Sequence, residues 1–237
     1  MRNDILELGQ AEPSLARRSV ERALEPRRAA YADEVRRLVE ASFRLIRESG
    51  QLEAPVSEIV RAAGLSNHAF YKHFRSKDEL LVTLLDDGMR QLSSYLRHRM
   101  EGASSPEQRI RRWIAGMCEQ ALNPRAAAAT RPFALSRARL AERFPAEVAK
   151  SERRLTALLR DAIEAATATG ALAPTDAARE SETLYDLAMG WMQRMLAQPE
   201  PPDRSAAEHL VEFAMHGLAR GGATDGAAAR PESAGGA

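Results

Sequence analysis

The side chains best suited to chemistry in this sequence are hydrogen-bond donors concentrated in one short segment. Residues 56–74 read VSEIVRAAGLSNHAFYKHF. The donors recur within this segment at helical spacing: Asn67, His68, Tyr71 and Lys72. An Asn amide can pair with adenine and a Lys ammonium with guanine, whereas Tyr and His can donate to phosphate oxygens. Lys77, one residue after the predicted helix cap Ser76, adds a positive charge beside exposed backbone amides.

Two short helices joined by a tight turn are needed to present these donors together. Gly64 is expected to take a positive φ after the first helix, and Ser66 is expected to cap the second. Phe70 and Phe74 are four residues apart and are predicted to face inward, so the donors face outward. The pattern therefore predicts a helix-turn-helix, whose second helix would enter a major groove.

The region resembles the DNA-binding signature of the TetR (AcrR-like) family of bacterial transcriptional regulators. The resemblance covers about 50 residues, from the first helix to the start of the fourth, and its matching positions are Ile59, Ala63, Gly64, Ser66, Tyr71, His73, Phe74, Lys77 and Leu80. The resemblance implies that Tyr71 and Lys77 contact phosphates and that His73 supports the backbone contacts. It also implies base reading by Ser57, Asn67 and His68. The predicted DNA-binding set is Ser57, Ser66, Asn67, His68, Tyr71, Lys72, His73 and Lys77.

Composition points to a globular chain and excludes several classes of protein. The 237 residues are 44% hydrophobic and 28% charged, which excludes collagen, disulfide scaffolds and disordered chains. Apolar residues recur at spacings of three and four and nowhere alternate for long, so we expect an all-α fold of about nine helices. The single cysteine, Cys118, and the lack of a long apolar run favour the cytoplasm and no membrane. A net charge of +1 gives no overall attraction to a polyanion.

The chain is expected to divide into two helical domains between two tails. Residues 28–76 should form the three-helix DNA-binding domain, and residues 77–219 a larger helical domain for effector binding and dimerisation. Residues 1–27 are expected to be a disordered or partly helical tail. Residues 220–237 contain Gly, Ala and Ser with no large apolar side chain and are expected to be a disordered tail.

The resemblance also assigns roles to the larger domain. In the family this domain encloses a small-molecule cavity, and its last two helices pair with their copies in a four-helix dimer interface. The ligand candidates are large or adaptable side chains: Met89, Trp113, Met117, Phe133, Tyr185 and Met189. The dimer candidates are Leu187, Gly190, Trp191, Arg194, Leu210, Phe213 and Gly217. Any one ligand candidate, taken alone, is more often ordinary core than a ligand contact.

The resemblance implies a homodimeric regulator, most commonly a repressor, that binds double-stranded DNA at a palindromic operator and is released by an unidentified small-molecule effector. No cofactor is expected, nor a metal, because His209, Glu212 and His216 lack a further ligand. The alternative is a helical small-molecule carrier or enzyme in which the helix pair is structural. No nucleophile elbow, P-loop or zincin motif supports an enzyme. A partner-binding scaffold would leave the outward donors unexplained.

Overall fold

The computed structural model describes residues 14–52, 54–200 and 202–225, and its regular secondary structure is entirely helical. The described residues form ten helices: α1 Leu15–Ser49, α2 Val56–Ala63, α3 Asn67–His73, α4 Lys77–Glu101, α5 Pro106–Leu122, α6 Pro124–Leu135, α7 Arg137–Arg143, α8 Pro145–Ala168, α9 Ala177–Ala197 and α10 Arg204–Asp225. The all-α prediction is confirmed. The count is ten rather than about nine because single non-helical residues, Ser136 and Phe144, separate α6, α7 and α8. No helix in these ranges is long and apolar enough to cross a membrane.

The first helix is longer than the sequence predicted. Residues 15–27, assigned to a disordered or partly helical tail, continue into α1 without a break. Pro26 does not end the helix, because its neighbours are mostly Arg, Glu, Ala and Leu, which are strong helix formers. The residues flanking Pro26 are also exposed. The carbonyl four residues earlier, to which Pro26 cannot donate a hydrogen bond, is therefore open to water. The helix ends as expected at Gly50, whose φ is 69°.

The last helix also extends into a predicted tail. Residues 220–225, expected to be disordered, are the final turns of α10. The helix is anchored upstream by buried residues such as Leu210 and Leu218, and adding residues to an existing helix costs far less than starting one. The remaining parts of the two predicted tails, 1–13 and 226–237, lie outside the described residues.

The described residues contain two hydrophobic cores, the first formed mainly by the early helices and the second mainly by the later ones. The first joins α1 to α4 around the fully buried Phe70 and includes Leu140 of α7 and Val148 of α8. The second surrounds Trp113 on α5, the helix that packs against α4, α6, α8, α9 and α10. Because α7 and the start of α8 contribute to the first core, the helix-turn-helix packs directly on part of the larger domain.

The turn between α2 and α3 depends on a glycine. Gly64 has a φ of 63°, and a Cβ there would lie 2.8 Å from Nη2 of Arg37. We expect Gly64→Ala to lower the free energy of unfolding by about 1–3 kcal/mol, since a non-glycine residue is strained in this conformation. Gly88→Ala on α4 is the control, because its Cβ would meet nothing closer than 3.9 Å. Urea unfolding measures both variants, and equal effects would contradict the argument.

Candidate nucleic-acid interface

The geometry of α3 is fixed by a cap at its start and by aromatic packing beneath it. The Oγ of Ser66 accepts a hydrogen bond from the amide of Ala69 at 3.1 Å, which defines the first residue of the helix. Phe70 is fully buried and Phe74 nearly so, with their ring centroids 5.7 Å apart. One face of α3 is therefore committed to the core, and the opposite face is oriented to solvent.

The exposed face of α3 presents the predicted donors. Asn67 and His68 are exposed in its first turn, and Ser57 is exposed at the start of α2. Tyr71 is 61% exposed, although its ring packs edge-on against Phe70 at a centroid distance of 5.2 Å. This contact orients the ring while most of the side chain remains in solvent. The four side chains offer amide, imidazole and hydroxyl groups to an acceptor-rich ligand.

The end of α3 is tied to α1 through a carboxylate that sequence analysis did not identify. Oε2 of Glu34 lies 3.1 Å from Nζ of Lys72 and 2.5 Å from Nε2 of His73. The ring of Tyr31 lies 3.9 Å from Nζ of Lys72 and edge-on to His73. The hydrogen bond from His73, followed by that from Lys72, lowers the pKa of Glu34 despite the opposing effect of desolvation. We call these four residues the Glu34 cluster.

The Glu34 cluster changes the interpretation of two predicted residues. The side chain of His73, the last residue of α3, is almost fully buried. It can hold the helix in place, but it does not face solvent. Lys72 is only partly exposed, and its charge is already matched by Glu34. Its predicted reach towards guanine therefore competes with a contact inside the protein. No local pattern could have identified Glu34, which precedes its partners by 38 and 39 residues.

Two arginines of α1 hold the other end of the motif. Nη2 of Arg37 donates to the carbonyl oxygens of Ala63 and Gly64 at 2.6 and 3.1 Å. Nη2 of Arg44 donates to the carbonyl of Ala62 at 3.0 Å. Cations at the carbonyl end of a helix are favourable, because the last carbonyls have no partner within the helix. α1 therefore fixes both the turn and the end of the exposed helix.

Lys77 lies at the start of α4, where Ser76 and Glu79 form a reciprocal helix cap. The Oγ of Ser76 accepts from the amide of Glu79 at 3.2 Å, and the carboxylate of Glu79 accepts from the amide of Arg75 at 2.6 Å. Asp78 forms an ion pair with Arg143 of α7. Lys77 itself has no hydrogen bond or ion pair with any described residue. It is the uncommitted lysine of the motif.

Four of the six ligand candidates line one largely apolar cavity of about 80 Å³ between α4, α6, α7, α8 and α9: Met89, Phe133, Tyr185 and Met189. The other two, Trp113 and Met117, are fully buried in the second core and do not line this cavity. Nε1 of Trp113 donates to the carbonyl of Leu155 at 3.2 Å. These two side chains fill the interior because α5 is surrounded by other helices.

The cavity has a polar wall that was not predicted. Nη2 of Arg137 lies 2.5 Å from Oε1 of Glu152, and both residues line the cavity beside Tyr185. Burial, aided by the negative charge of Glu152, raises the pKa of Tyr185. The phenol of Tyr185 is a hydrogen-bond donor at this wall of the cavity.

The dimer candidates divide into buried and exposed residues. Trp191 and Leu210 are buried in the second core of the single chain. Gly190, Arg194 and Gly217 are exposed and Leu187 is half-buried, whereas Phe213 is 61% exposed. A Cβ added at either glycine would meet no atom within 4 Å, so another helix could approach closely there. The exposed members form a small-residue surface with one large aromatic side chain.

Comparisons with known proteins find similarity both in the sequence of the helix-turn-helix segment and in the fold. Residues 38–84 match the sequence family described as "Bacterial regulatory proteins, tetR family". The chain is 31% identical over 80 residues to the HTH-type transcriptional regulator BetI of Brucella canis. That match covers 34% of this chain and 40% of the BetI sequence, so the curated relative is matched over less than half its length.

Solved structures resemble a larger part of the chain. The regulator FadR of Bacillus subtilis, in complex with stearoyl-CoA, has a TM-score of 0.61 and 16% identity, covering 78% of this chain and 97% of FadR. AibR, in complex with isovaleryl coenzyme A and operator DNA, has a TM-score of 0.57 and 18% identity, covering 78% of this chain and 98% of AibR. These similarities show a shared fold. The helix-turn-helix segment of the chain is therefore similar in sequence to the tetR family of bacterial regulatory proteins, and its fold is similar to that of solved regulators of this family.

Proposed function

We propose that the protein is a homodimeric transcriptional regulator that binds a palindromic operator through α3 and acts without catalysis. The observation that supports this most strongly is the outward row of Asn67, His68 and Tyr71 above the buried Phe70. These donors match the acceptors of base edges and phosphates. The fixed attachment of α3 to α1 keeps them in one geometry, which favours selective binding.

A dimer would double this interface. The exposed surface of α9 and α10, with Phe213 beside Gly217, is the proposed contact between copies. A twofold dimer places two recognition helices about one DNA turn, roughly 34 Å, apart. The operator is then expected to be an imperfect palindrome with half-sites at that spacing.

We infer that an effector controls this binding, most simply by releasing a repressor from its operator. The cavity beside Met89 and Tyr185 is the proposed effector site, and two structural neighbours carry coenzyme A esters. The ion pair of Asp78 with Arg143, together with Leu140 in the first core, connects this region to α4 and the helix-turn-helix. An effector acts only through its different affinities for the DNA-competent and released states.

Selection of genomic fragments tests the proposal. The purified protein is incubated with fragments of its source genome at about 0.15 M salt, where non-specific complexes are weak, and bound DNA is sequenced. Enrichment of a few imperfect palindromes is the expected result. If a folded, dimeric and ligand-free preparation enriches none, the carrier or enzyme hypothesis replaces this one.

The two lysines of the motif are expected to differ in their effect on salt dependence. Lys77 has no described partner, whereas Lys72 is paired with Glu34. Each phosphate contact contributes about 0.9 to the slope of log K against log salt concentration. Lys77→Gln should therefore reduce the slope by about 1.8 in a dimer, and Lys72→Gln by clearly less. Fluorescence anisotropy with the selected operator, measured over a salt series, gives both slopes.

This comparison is internally controlled, because both substitutions remove one positive charge from the same motif. Equal losses of slope would show that Lys72 leaves Glu34 to contact DNA. A larger loss for Lys72 than for Lys77 would reverse the assignment of the phosphate contact.

A further inference from the structure

A wide cleft lies beside the contact between α1 and α6, outside the α3 surface proposed to bind DNA. It has a volume of about 750 Å³ and is lined by residues of α1, α4, α5 and α6. Phe43 of α1 and Phe133 of α6 both line it and pack against each other, with ring centroids 6.1 Å apart. Gly88 and Met89 of α4 also line the cleft. The cleft thus lies where the helix-turn-helix domain faces the larger domain.

The cleft adjoins the smaller apolar cavity described above. The two spaces share five lining residues: Leu85, Met89, Leu92, Thr130 and Phe133. Four of these are apolar, so the wall that the two spaces share suits contact with a hydrocarbon chain rather than with a charged group. The cleft is thus the wide space and the inner cavity the narrow, more apolar one beside it.

The acidic residues along the cleft already have basic partners. Oε1 of Glu40 lies 3.0 Å from Nη1 of Arg36. Oε2 of Glu119 lies 3.7 Å from Nη1 of Arg204. Their charges are therefore balanced by arginines of the protein, and neither carboxylate is left to attract a cation.

The basic residues of the cleft are only partly engaged. Arg44 donates to the carbonyl of Ala62, as described above. Arg47, in the last turn of α1, and Arg125, in the first turn of α6, are exposed, and their guanidinium groups form no hydrogen bond or ion pair with any described residue. The uncommitted charge of the cleft is therefore positive. A guanidinium favours carboxylate and phosphate groups, which it can bind with two hydrogen bonds.

We propose that the cleft and the inner cavity form one binding site for an amphipathic anion. Its hydrocarbon chain passes Phe133 and Met89 into the inner cavity, and its carboxylate or phosphate group lies in the outer part that carries Arg47 and Arg125. The inference rests on the proposed effector function, since it names the ligand class of that site and extends the site to α1.

Such a ligand would contact both domains at once. Arg47 and Phe43 belong to α1, which holds α3 through the Glu34 cluster, whereas Arg125 and Phe133 belong to α6. Binding therefore favours whichever arrangement of α1 and α6 fits the ligand better. The site couples ligand occupancy to the helix that positions the DNA-binding surface.

The test uses probes that share one chain and differ in head group. Decanoate, decyl phosphate and decyltrimethylammonium are titrated into the full-length protein without DNA, below micelle-forming concentrations, by isothermal calorimetry. We expect the two anions to bind at least about tenfold more tightly than the cation. The double variant Arg47→Gln/Arg125→Gln should reduce this preference by a similar factor. Arg153→Gln, an exposed arginine of α8 outside the cleft, is the control and should change nothing.

A second variant tests the location without removing charge. A Cβ at Gly88 would lie 3.9 Å from the ring of Phe43, so Gly88→Leu places a side chain in the cleft without a clash at Cβ. It should prevent binding of all three probes while raising the helix propensity of α4. Retained anion binding by Gly88→Leu, or equal binding of anion and cation by the parent, overturns the inference. Operator binding is measured in a separate experiment. If the parent protein does not bind its operator, that result counts against the proposed function and not against the ligand site.

Discussion

Removal of one hydroxyl group, in Tyr71→Phe, is expected to weaken operator binding by about 10² to 10⁴, because a hydrogen bond to a charged group contributes about 1.5–3 kcal/mol and a dimer makes it twice. The phenylalanine keeps the edge-on contact with Phe70, so the surface of α3 stays in place. The loss is therefore assigned to the phosphate contact rather than to misfolding. Fluorescence anisotropy with the operator, at fixed salt, gives the change in affinity.

A matched substitution removes a phenol hydroxyl elsewhere. The hydroxyl of Tyr95, on α4, accepts a hydrogen bond from Nη1 of Arg99 at 3.1 Å, and the residue lines the wide cleft rather than the surface of α3, so both variants are measured without effector. Tyr95→Phe should leave operator affinity unchanged within about twofold, because additivity holds for independent sites. If Tyr71→Phe and Tyr95→Phe behaved alike, Tyr71 would not be a phosphate contact.

Trp113→Ala is expected to have the largest effect on stability. The side chain is fully buried on the helix that packs against most of the larger domain, and its indole donates to Leu155. Truncating a buried tryptophan typically lowers the free energy of unfolding by about 3–5 kcal/mol, through lost burial and the cavity that remains. Urea unfolding at several protein concentrations measures the change, since dimer stability depends on concentration.

A conservative variant separates packing from the hydrogen bond. Trp113→Phe keeps part of the ring volume but removes the donor to Leu155, and it should cost clearly less than Trp113→Ala. A loss below about 1 kcal/mol for Trp113→Ala would contradict the central position of this residue in the core.

Features governed by local rules were predictable from the sequence. The positive φ of Gly64, the cap at Ser66 and the inward Phe70 and Phe74 all agree with expectation. Each depends on residues within one or two helical turns, and stereochemistry leaves few alternatives for them. The outward position of Tyr71 follows directly from the inward position of the two phenylalanines.

Features governed by distant partners were not predictable. The carboxylate that engages Lys72 and His73 is on α1, and the arginine facing Glu152 is on α7. Trp113 could equally have been core or cavity lining, since helical periodicity identifies a buried face but not what lies against it. The lengths of α1 and α10 differed from expectation for a related reason, because helix propagation overrode breakers such as Pro26.

The continuity of α1 has a mechanical consequence. The helix touches α6 at Phe43 and the recognition helix at Tyr31, and twelve residues of helix between them span about 18 Å. A stiff rod of that length converts rotation at one end into displacement at the other. A tilt of about 5° around Phe43 would move the other end by about 1.6 Å, which is enough to break well-formed hydrogen bonds between α3 and DNA. A dimer would contain two copies of α1, so a small tilt of each would change the distance between the two copies of α3.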